Sequence, residues 1–237
     1  VVLIVGIGLG GYILYKFFGP KAGLLLAGIL GGIISSTATT VNYSKRAAKQ
    51  ELPDISAAVV ILIASTVSCT VVLIEISVVA PGFLRTAILP LSIIAATAGV
   101  VSVIAWFFHS RDSSEMPTQV NPSELKGALY FALIYTLILL AIAAVKEGYG
   151  ARGLYVVAAA SGLAEVHALA LSTSQLVEAG RVGSAEGWRI IAVALISNLA
   201  FKVAMVMTFG ARSLWKKVVL PYLLTMAVGI GIVLMWH

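Results

Sequence analysis

The sequence contains few of the residues from which soluble enzymes and metal sites are built. Of its 237 residues only 11% are charged, and it has three histidines and one cysteine; soluble domains have roughly 25% charged residues. The single Cys69 has no second cysteine with which to form a disulfide within the chain. The sequence also lacks His-Glu-x-x-His, Gly-x-Ser-x-Gly and Walker motifs. We therefore expect neither enzymatic activity nor a cofactor.

Apolar residues, in contrast, are abundant. They make up 60% of the chain, and the mean hydropathy is +1.03. They fall into continuous runs of about 18 to 25 residues, the helix length that crosses a hydrocarbon core of ~30 Å. Backbone polar groups must be paired in lipid, and the runs do not alternate with period two, so the spans are predicted to be helices. We predict an all-α, polytopic transmembrane helical bundle in a lipid bilayer.

The basic residues exceed the acidic ones and give a formal net charge of +6. They are scattered among short loops instead of forming one patch or stripe, which argues against a nucleic-acid partner.

Charged residues, prolines and glycines divide the apolar runs into about eight predicted spans. The spans cover residues 1–18, 21–43, 55–80, 86–108, 124–145, 152–177, 185–210 and 215–236. A polar, proline-containing stretch separates the first four from the last four. We predict a membrane repeat over 1–108, a linker over 109–123 and a second membrane repeat over 124–237.

A shift of 130 positions pairs several residues of the two halves. It places Gly32 on Gly162 (162 − 32 = 130) and Ser68 on Asn198 (198 − 68 = 130). Internal repeats are common in transporter folds, and two copies of four spans would face the same way, related by an axis along the membrane normal. Chance identities among small residues are the alternative.

A run of hydroxyls follows two glycines in "GGIISSTATT", Gly31 to Thr40. Two interpretations are open. Small and hydroxyl residues allow helices to pack closely. Hydroxyl oxygens on several faces of one helix also suit an ion path, because neutral oxygens replace part of a cation's hydration shell. The candidate path residues in this run are Ser35, Ser36, Thr37, Thr39 and Thr40.

Ionisable side chains inside spans are functional candidates because their burial in lipid is costly. Glu165 lies about midway along the predicted sixth span, and His167 follows two residues later, on another face of the helix. Lys202 and Asn198 share a face of the seventh span. The structural alternative is that Lys202 pairs with Glu165 and Asn198 bonds a neighbouring helix. Glu75, near a span end, is expected to reach the membrane interface.

Four segments resemble a known family: Leu9–Thr40, Asn121–Leu129, Ser161–Ser172 and Ile196–Met205. They are similar to the membrane domain of unknown function numbered 4010, which is often found C-terminal to an MgtC/SapB domain in bacteria and archaea. The resemblance implies a longer parent chain and the cytoplasmic membrane of a bacterium or archaeon. It places the hydroxyl run, Glu165, Asn198 and Lys202 in the family's recurring segments but assigns them no role.

Two functions are therefore weighed from the sequence. The first is a transporter or channel, most simply for a cation, with a path between two repeats past the hydroxyl run, Glu165 and His167. The second is a non-transporting sensor or regulatory subunit whose polar residues lock helices together. A small-xxx-small face at Gly6 and Gly10 further predicts a homodimer or higher oligomer.

Overall fold

The computed structural model describes residues 2–111 and 151–236, with side chains over 23–108 and 154–236 except at Ala164. Every regular element in these residues is a helix, so the all-α prediction is confirmed for this part of the chain. The helices are α1 (Val2–Ala48), α2 (Asp54–Val79), α3 (Pro81–Arg111), α4 (Ala151–Ala164), α5 (Val166–Glu178), α6 (Ser184–Phe209) and α7 (Arg212–Met235).

Apolar helices long enough to cross a bilayer dominate the described residues. Five stretches qualify there: Gly23–Ala48, Asp54–Val79, Pro81–Phe108, Ser184–Phe209 and Arg212–Met235. Large apolar side chains also lie on their outer surfaces, among them Val78 and Leu234, which are more than 70% exposed. Such a surface is costly in water and suited to lipid. The chain is a membrane protein with transmembrane helices.

The N-terminal region differs from the sequence prediction. Separate spans were expected over 1–18 and 21–43, because Pro20 follows a glycine between them, yet α1 continues through this point. A proline removes one hydrogen bond of the helix, and membrane helices tolerate that loss. Pro90 and Pro221 likewise lie inside α3 and α7. The predicted span over 124–145 and the linker over 109–123, apart from the end of α3, lie outside the described residues.

The described residues form two compact units, and each draws on both halves of the sequence. Unit 1 comprises residues 2–68, 98–111 and 202–223. In it α1 packs closely on α2, because Gly28 leaves room for Ile63 and Gly32 leaves room for Ala64 and Val67. The division into two sequence repeats and a linker stays a prediction.

Unit 2 comprises residues 69–97, 151–201 and 224–236. It contains an apolar core to which α2, α3, α4, α5 and α6 contribute; Phe83, Trp188 and Ile191 are among its fully buried members. Gly187 of α6 lies against Phe83 and Val177, so a side chain at this position would displace part of the core.

The predicted sixth span, 152–177, is not one helix. It is interrupted at Glu165, which separates α4 from α5. Hydropathy cannot reveal such a break, because the residues on both sides are apolar. The interruption lies within unit 2 and determines the position of Glu165 and His167, two of the ionisable residues singled out from the sequence.

Candidate functional site

Glu165 is the residue at which the chain leaves one helix and enters the next. Its backbone is extended (φ −154°, ψ 105°), and its carboxylate accepts a hydrogen bond of 3.2 Å from the backbone N–H of His167. A helix begins with backbone N–H groups that lack acceptors within the helix, and a carboxylate at the N-cap satisfies one of them. Glu165 thus caps α5, and its negative charge lies at the positive end of the α5 dipole.

Asn198 provides a hydrogen-bond donor on the α4 side of the same break. Its Nδ2 atom donates a hydrogen bond of 2.9 Å to the carbonyl oxygen of Gly162, in the last turn of α4. In a continuous helix this carbonyl would accept from the N–H of Val166, four residues later. Asn198 is 4% exposed, so without its amide the carbonyl would lose a buried partner. Two predicted site residues, Glu165 and Asn198, therefore belong to one helix interruption.

His167 connects the start of α5 to α2. Its Nδ1 atom lies 3.1 Å from Oε1 and 3.2 Å from Oε2 of Glu75, and both side chains are about 20% exposed. A charged Glu75 only accepts hydrogen bonds, so in that state Nδ1 of His167 is the donor of this bond. Glu75, which the sequence had assigned to the membrane interface, is thus paired inside unit 2.

Lys202 lies in unit 1 and is 1% exposed. Its Nζ atom donates a hydrogen bond of 3.2 Å to Oγ of Ser65 on α2. The same Oγ lies 2.6 Å from the hydroxyl of Tyr222 on α7. No spacing in the sequence associates Ser65 or Tyr222 with Lys202. The proposed ion pair between Lys202 and Glu165 stays a prediction.

The hydroxyl run lies at a sharp bend of α1. Side-chain atoms of Thr39 occupy the space in which a Cβ of Gly31 would stand, although residues eight apart in a straight helix are ~12 Å from each other. The helix must therefore bend between them. Oγ of Ser35 accepts a hydrogen bond of 3.2 Å from the N–H of Ala38, as an N-cap does. Serine pairs are a recognised cause of helix kinks.

The other hydroxyls of this run are buried. Thr39 and Thr40 donate bonds of 2.8 Å to the carbonyl oxygens of Ser35 and Ser36, within their own helix. Ser36 and Thr37 are each 6% exposed. Part of the hydroxyl run thus forms hydrogen bonds within α1 at the bend. The sequence alone had favoured helix packing and an ion path equally.

The bend of α1 and the interruption at Glu165 are separated by the offset found in the sequence. Glu165 follows Ser35 by 130 residues (165 − 35), and the side chain of each accepts a hydrogen bond from a backbone N–H two or three residues later. The close helix contacts match as well. A Cβ on Gly32 would lie 2.5 Å from the carbonyl oxygen of Ala64, and one on Gly162 would collide with that of Ala194, where 194 − 64 is again 130. Each contact lies within one unit.

Among the residues that the structure describes, no group of three or more His, Cys, Asp or Glu side chains converges as metal ligands would. Unit 2 does bring two carboxylates to His167: Glu75 contacts its ring, and Glu165 accepts from its backbone N–H.

Glu75 is the residue that the sequence reasoning set aside. The usable signal was its ionisable side chain within an apolar run, which by itself marks a functional candidate. Ser65 and Tyr222 gave no such signal, because single hydroxyls are common in membrane helices.

Comparisons with known proteins identify the family of the chain. The sequence model of a family described as "Domain of unknown function (DUF4010)" matches residues 2–210. The chain belongs to this family. A relative in Aquifex aeolicus (strain VF5), described as an uncharacterized protein, is 26% identical over 193 residues, which are 81% of this chain and 84% of the relative. No solved structure matches the chain. The family membership predicted from the recurring segments is confirmed.

Proposed function

We propose that the chain is an integral membrane transporter or channel for a cation, with its intramembrane site at the α4–α5 interruption. The observation that carries the proposal is the break at Glu165 within an apolar span. Discontinuous helices in transporters bring carbonyl ends and N-termini to the substrate, and irregular backbone is retained in membranes where it lines such a site.

The charges around the break favour a cation. Glu75 and Glu165 bring two carboxylates, and His167 brings at most one positive charge. With a neutral imidazole the three groups carry an excess of negative charge, which a passing cation would compensate.

The repeat and the assembly belong to the same proposal. The offset of 130 residues between the bend of α1 at Ser35 and the interruption at Glu165 supports two related copies, with an irregular point in the same place of each. We further propose a homodimer in the cytoplasmic membrane of a bacterium or archaeon, a parent chain with an MgtC/SapB domain, and no enzymatic step.

A non-transporting sensor or regulatory subunit is the second candidate. It is favoured by the hydroxyls of Thr39 and Thr40, which bond carbonyls of their own helix and so serve the helix alone. In this case the ionisable residues only stabilise a rigid fold, and a partner protein carries out the membrane activity that the chain regulates.

Flux through purified protein in liposomes separates the two. Uptake of H⁺, Na⁺, K⁺ and Mg²⁺ would be measured in parallel, with protein-free liposomes of the same lipid as the control. Transport predicts protein-dependent flux of at least one of these cations. Flux no greater than in protein-free liposomes for all four would support the regulatory candidate.

A further inference from the structure

We infer that the stretch Gly23–Ala48 does not cross the membrane but forms a re-entrant hairpin within unit 1. The chain enters the membrane beside the start of α2, turns back at the hydroxyl run and returns to the same face. The hydroxyl run is therefore reached from one face of the membrane. The inference concerns the path of the chain, so it does not depend on whether the protein transports a cation.

The first limb of the hairpin runs in the same direction as α2. Two glycines of α1, four positions apart, each leave room for a pair of α2 residues, and the two pairs are also four positions apart. The pairs are Val60 and Ile63 at Gly28, and Ala64 and Val67 at Gly32. A step of one turn along α1 is thus matched by a step of one turn along α2. Gly23, five residues before Gly28, is therefore level with the first turn of α2.

The short connection between α1 and α2 then requires the chain to turn back. Ala64 and Val67, which are level with Gly32, follow Asp54 by 10 and 13 residues (64 − 54 and 67 − 54), or about 15 to 20 Å of helix. A straight α1 would carry Ala48 a further ~24 Å in this direction, to about 40 Å from the start of α2. The six peptide links from Ala48 to Asp54 reach at most about 22 Å. The residues after Gly32 must therefore return toward the start of α2.

The turn coincides with the hydroxyl run. Side-chain atoms of Thr39 occupy the space of a Cβ on Gly31, a contact that a helix continuing straight past Gly31 cannot make. At the same point Oγ of Ser35 accepts a hydrogen bond of 3.2 Å from the N–H of Ala38. Irregular backbone persists at membrane depth only where protein or a water-filled cavity covers it, and Thr39 and Thr40 are fully buried. The hairpin therefore carries the hydroxyl run into the interior of unit 1.

The second limb ends among charged side chains of unit 1, as a limb that returns to the membrane surface should. Arg46 lies 3.7 Å from the carboxylate of Glu51, in the connection to α2. Lys45 Nζ lies 4.9 Å from the ring centroid of Phe209, the last residue of α6, and the exposed Arg212 begins α7. The end of the hairpin, the start of α2 and the connection from α6 to α7 thus lie at one face.

Spin-label distances distinguish the hairpin from a straight helix. With the one native cysteine replaced by Cys69→Ala, nitroxide labels at Leu25→Cys and Ala48→Cys would be compared with labels at Ala185→Cys and Thr208→Cys in α6. All four positions are exposed, and each pair is 23 residues apart (48 − 25 and 208 − 185).

Double electron–electron resonance in detergent is expected to give ~35 Å for the α6 pair, the length of 23 residues of straight helix. The α1 pair is expected to be closer by about 10 Å or more, because its two limbs fold back on each other. Equal distances for the two pairs would overturn the hairpin.

Labelling with a membrane-impermeant maleimide tests which face each end of the hairpin reaches. In the same Cys69→Ala background, single cysteines would be placed before the first limb (Lys21→Cys), after the second limb (Lys49→Cys) and beyond the far end of α2 (Gly82→Cys), where nothing lies within 4 Å of a Cβ. In sealed vesicles of one orientation, we expect Lys21→Cys and Lys49→Cys to react from one face and Gly82→Cys from the other. Reaction of Lys21→Cys from the same face as Gly82→Cys would overturn the inference.

Discussion

His167 and Glu75, which are 92 positions apart in the sequence, form a direct pair between α5 and α2, with both carboxylate oxygens within 3.2 Å of Nδ1. This pair fixes the first turn of α5, whose N-cap is Glu165. The break in the span and the ionisable pair are therefore parts of one local arrangement. Its consequences for stability can be measured without knowing a substrate.

Glu75→Gln and His167→Gln are each expected to lower stability by about 1 to 3 kcal/mol, the cost of losing a hydrogen bond to a charged group. The thermal midpoint of the purified protein in detergent would be measured for both variants and for the double variant. Because the two residues contact each other, the double variant should lose less than the sum of the single losses. Additive losses would mean that the pair contributes no coupling energy.

Asn198→Leu is expected to destabilise unit 2 by about 1 to 3 kcal/mol, because it leaves the Gly162 carbonyl buried without its donor. Ser197→Ala is the comparison. Ser197 donates to the carbonyl of Ala159, which lies a turn earlier in α4 and has a backbone partner available there. The loss from Ser197→Ala should therefore be smaller. Equal losses in the thermal midpoint would show that Asn198 does not hold the end of α4.

Gly32→Ala and Gly162→Ala are both expected to destabilise the protein, by about 1 to 3 kcal/mol each, because the added methyl group meets the backbone of Ala64 or Ala194. Gly231→Ala is the matched control: nothing lies within 4 Å of a Cβ at that position, and alanine is the better helix former by up to ~1 kcal/mol. Expression and thermal midpoint would be compared. Gly32 or Gly162 variants as stable as Gly231→Ala would rule out these close contacts.

Thr37→Val is expected to reduce cation flux several-fold and to leave the fold intact. Thr37 lies two residues after Ser35 at the bend of α1, as His167 lies two residues after Glu165, and 167 − 37 is 130. Thr40→Val is the control, since the Thr40 hydroxyl bonds the carbonyl of Ser36 in its own helix. Uptake into liposomes would be measured for both. Equal flux through the two variants would indicate that the hydroxyl run serves helix packing and not an ion path.

The sequence predicted most helix ends well. Spans expected over 55–80 and 185–210 appear as Asp54–Val79 and Ser184–Phe209. These ends coincide with changes from apolar to polar residues, which the bilayer itself imposes. The start of α3 was placed five residues late, because Pro81 was not used as the first helical residue, a position that proline favours.

The helix interruption at Glu165 could not be predicted from changes in hydropathy. A break depends on whether a side chain such as Glu165 caps the following helix and whether another, such as Asn198, reaches the carbonyl left behind. Both are tertiary contacts, and neither changes the hydropathy of the run. The pairing of Glu75 with His167 was hidden for the same reason, since helical spacing says nothing about which helices become neighbours.

In the proposed function, the Glu165 carboxylate binds the transported cation as it passes the α4–α5 interruption. Glutamine keeps a side-chain oxygen that can accept the hydrogen bond from the His167 N–H, so Glu165→Gln should retain the α5 cap and a thermal midpoint near that of wild type. Glu165→Ala removes the cap and should cost about 0.5 to 2 kcal/mol. Glu178→Gln, the same change on an exposed carboxylate at the end of α5, controls for the loss of charge.

The most direct test is the initial rate of cation uptake by Glu165→Gln protein in liposomes, compared with wild type and Glu178→Gln at equal protein density. We predict that Glu165→Gln folds as wild type does and loses uptake by tenfold or more, while Glu178→Gln retains it. Uptake by Glu165→Gln equal to that of wild type would contradict the role assigned to Glu165.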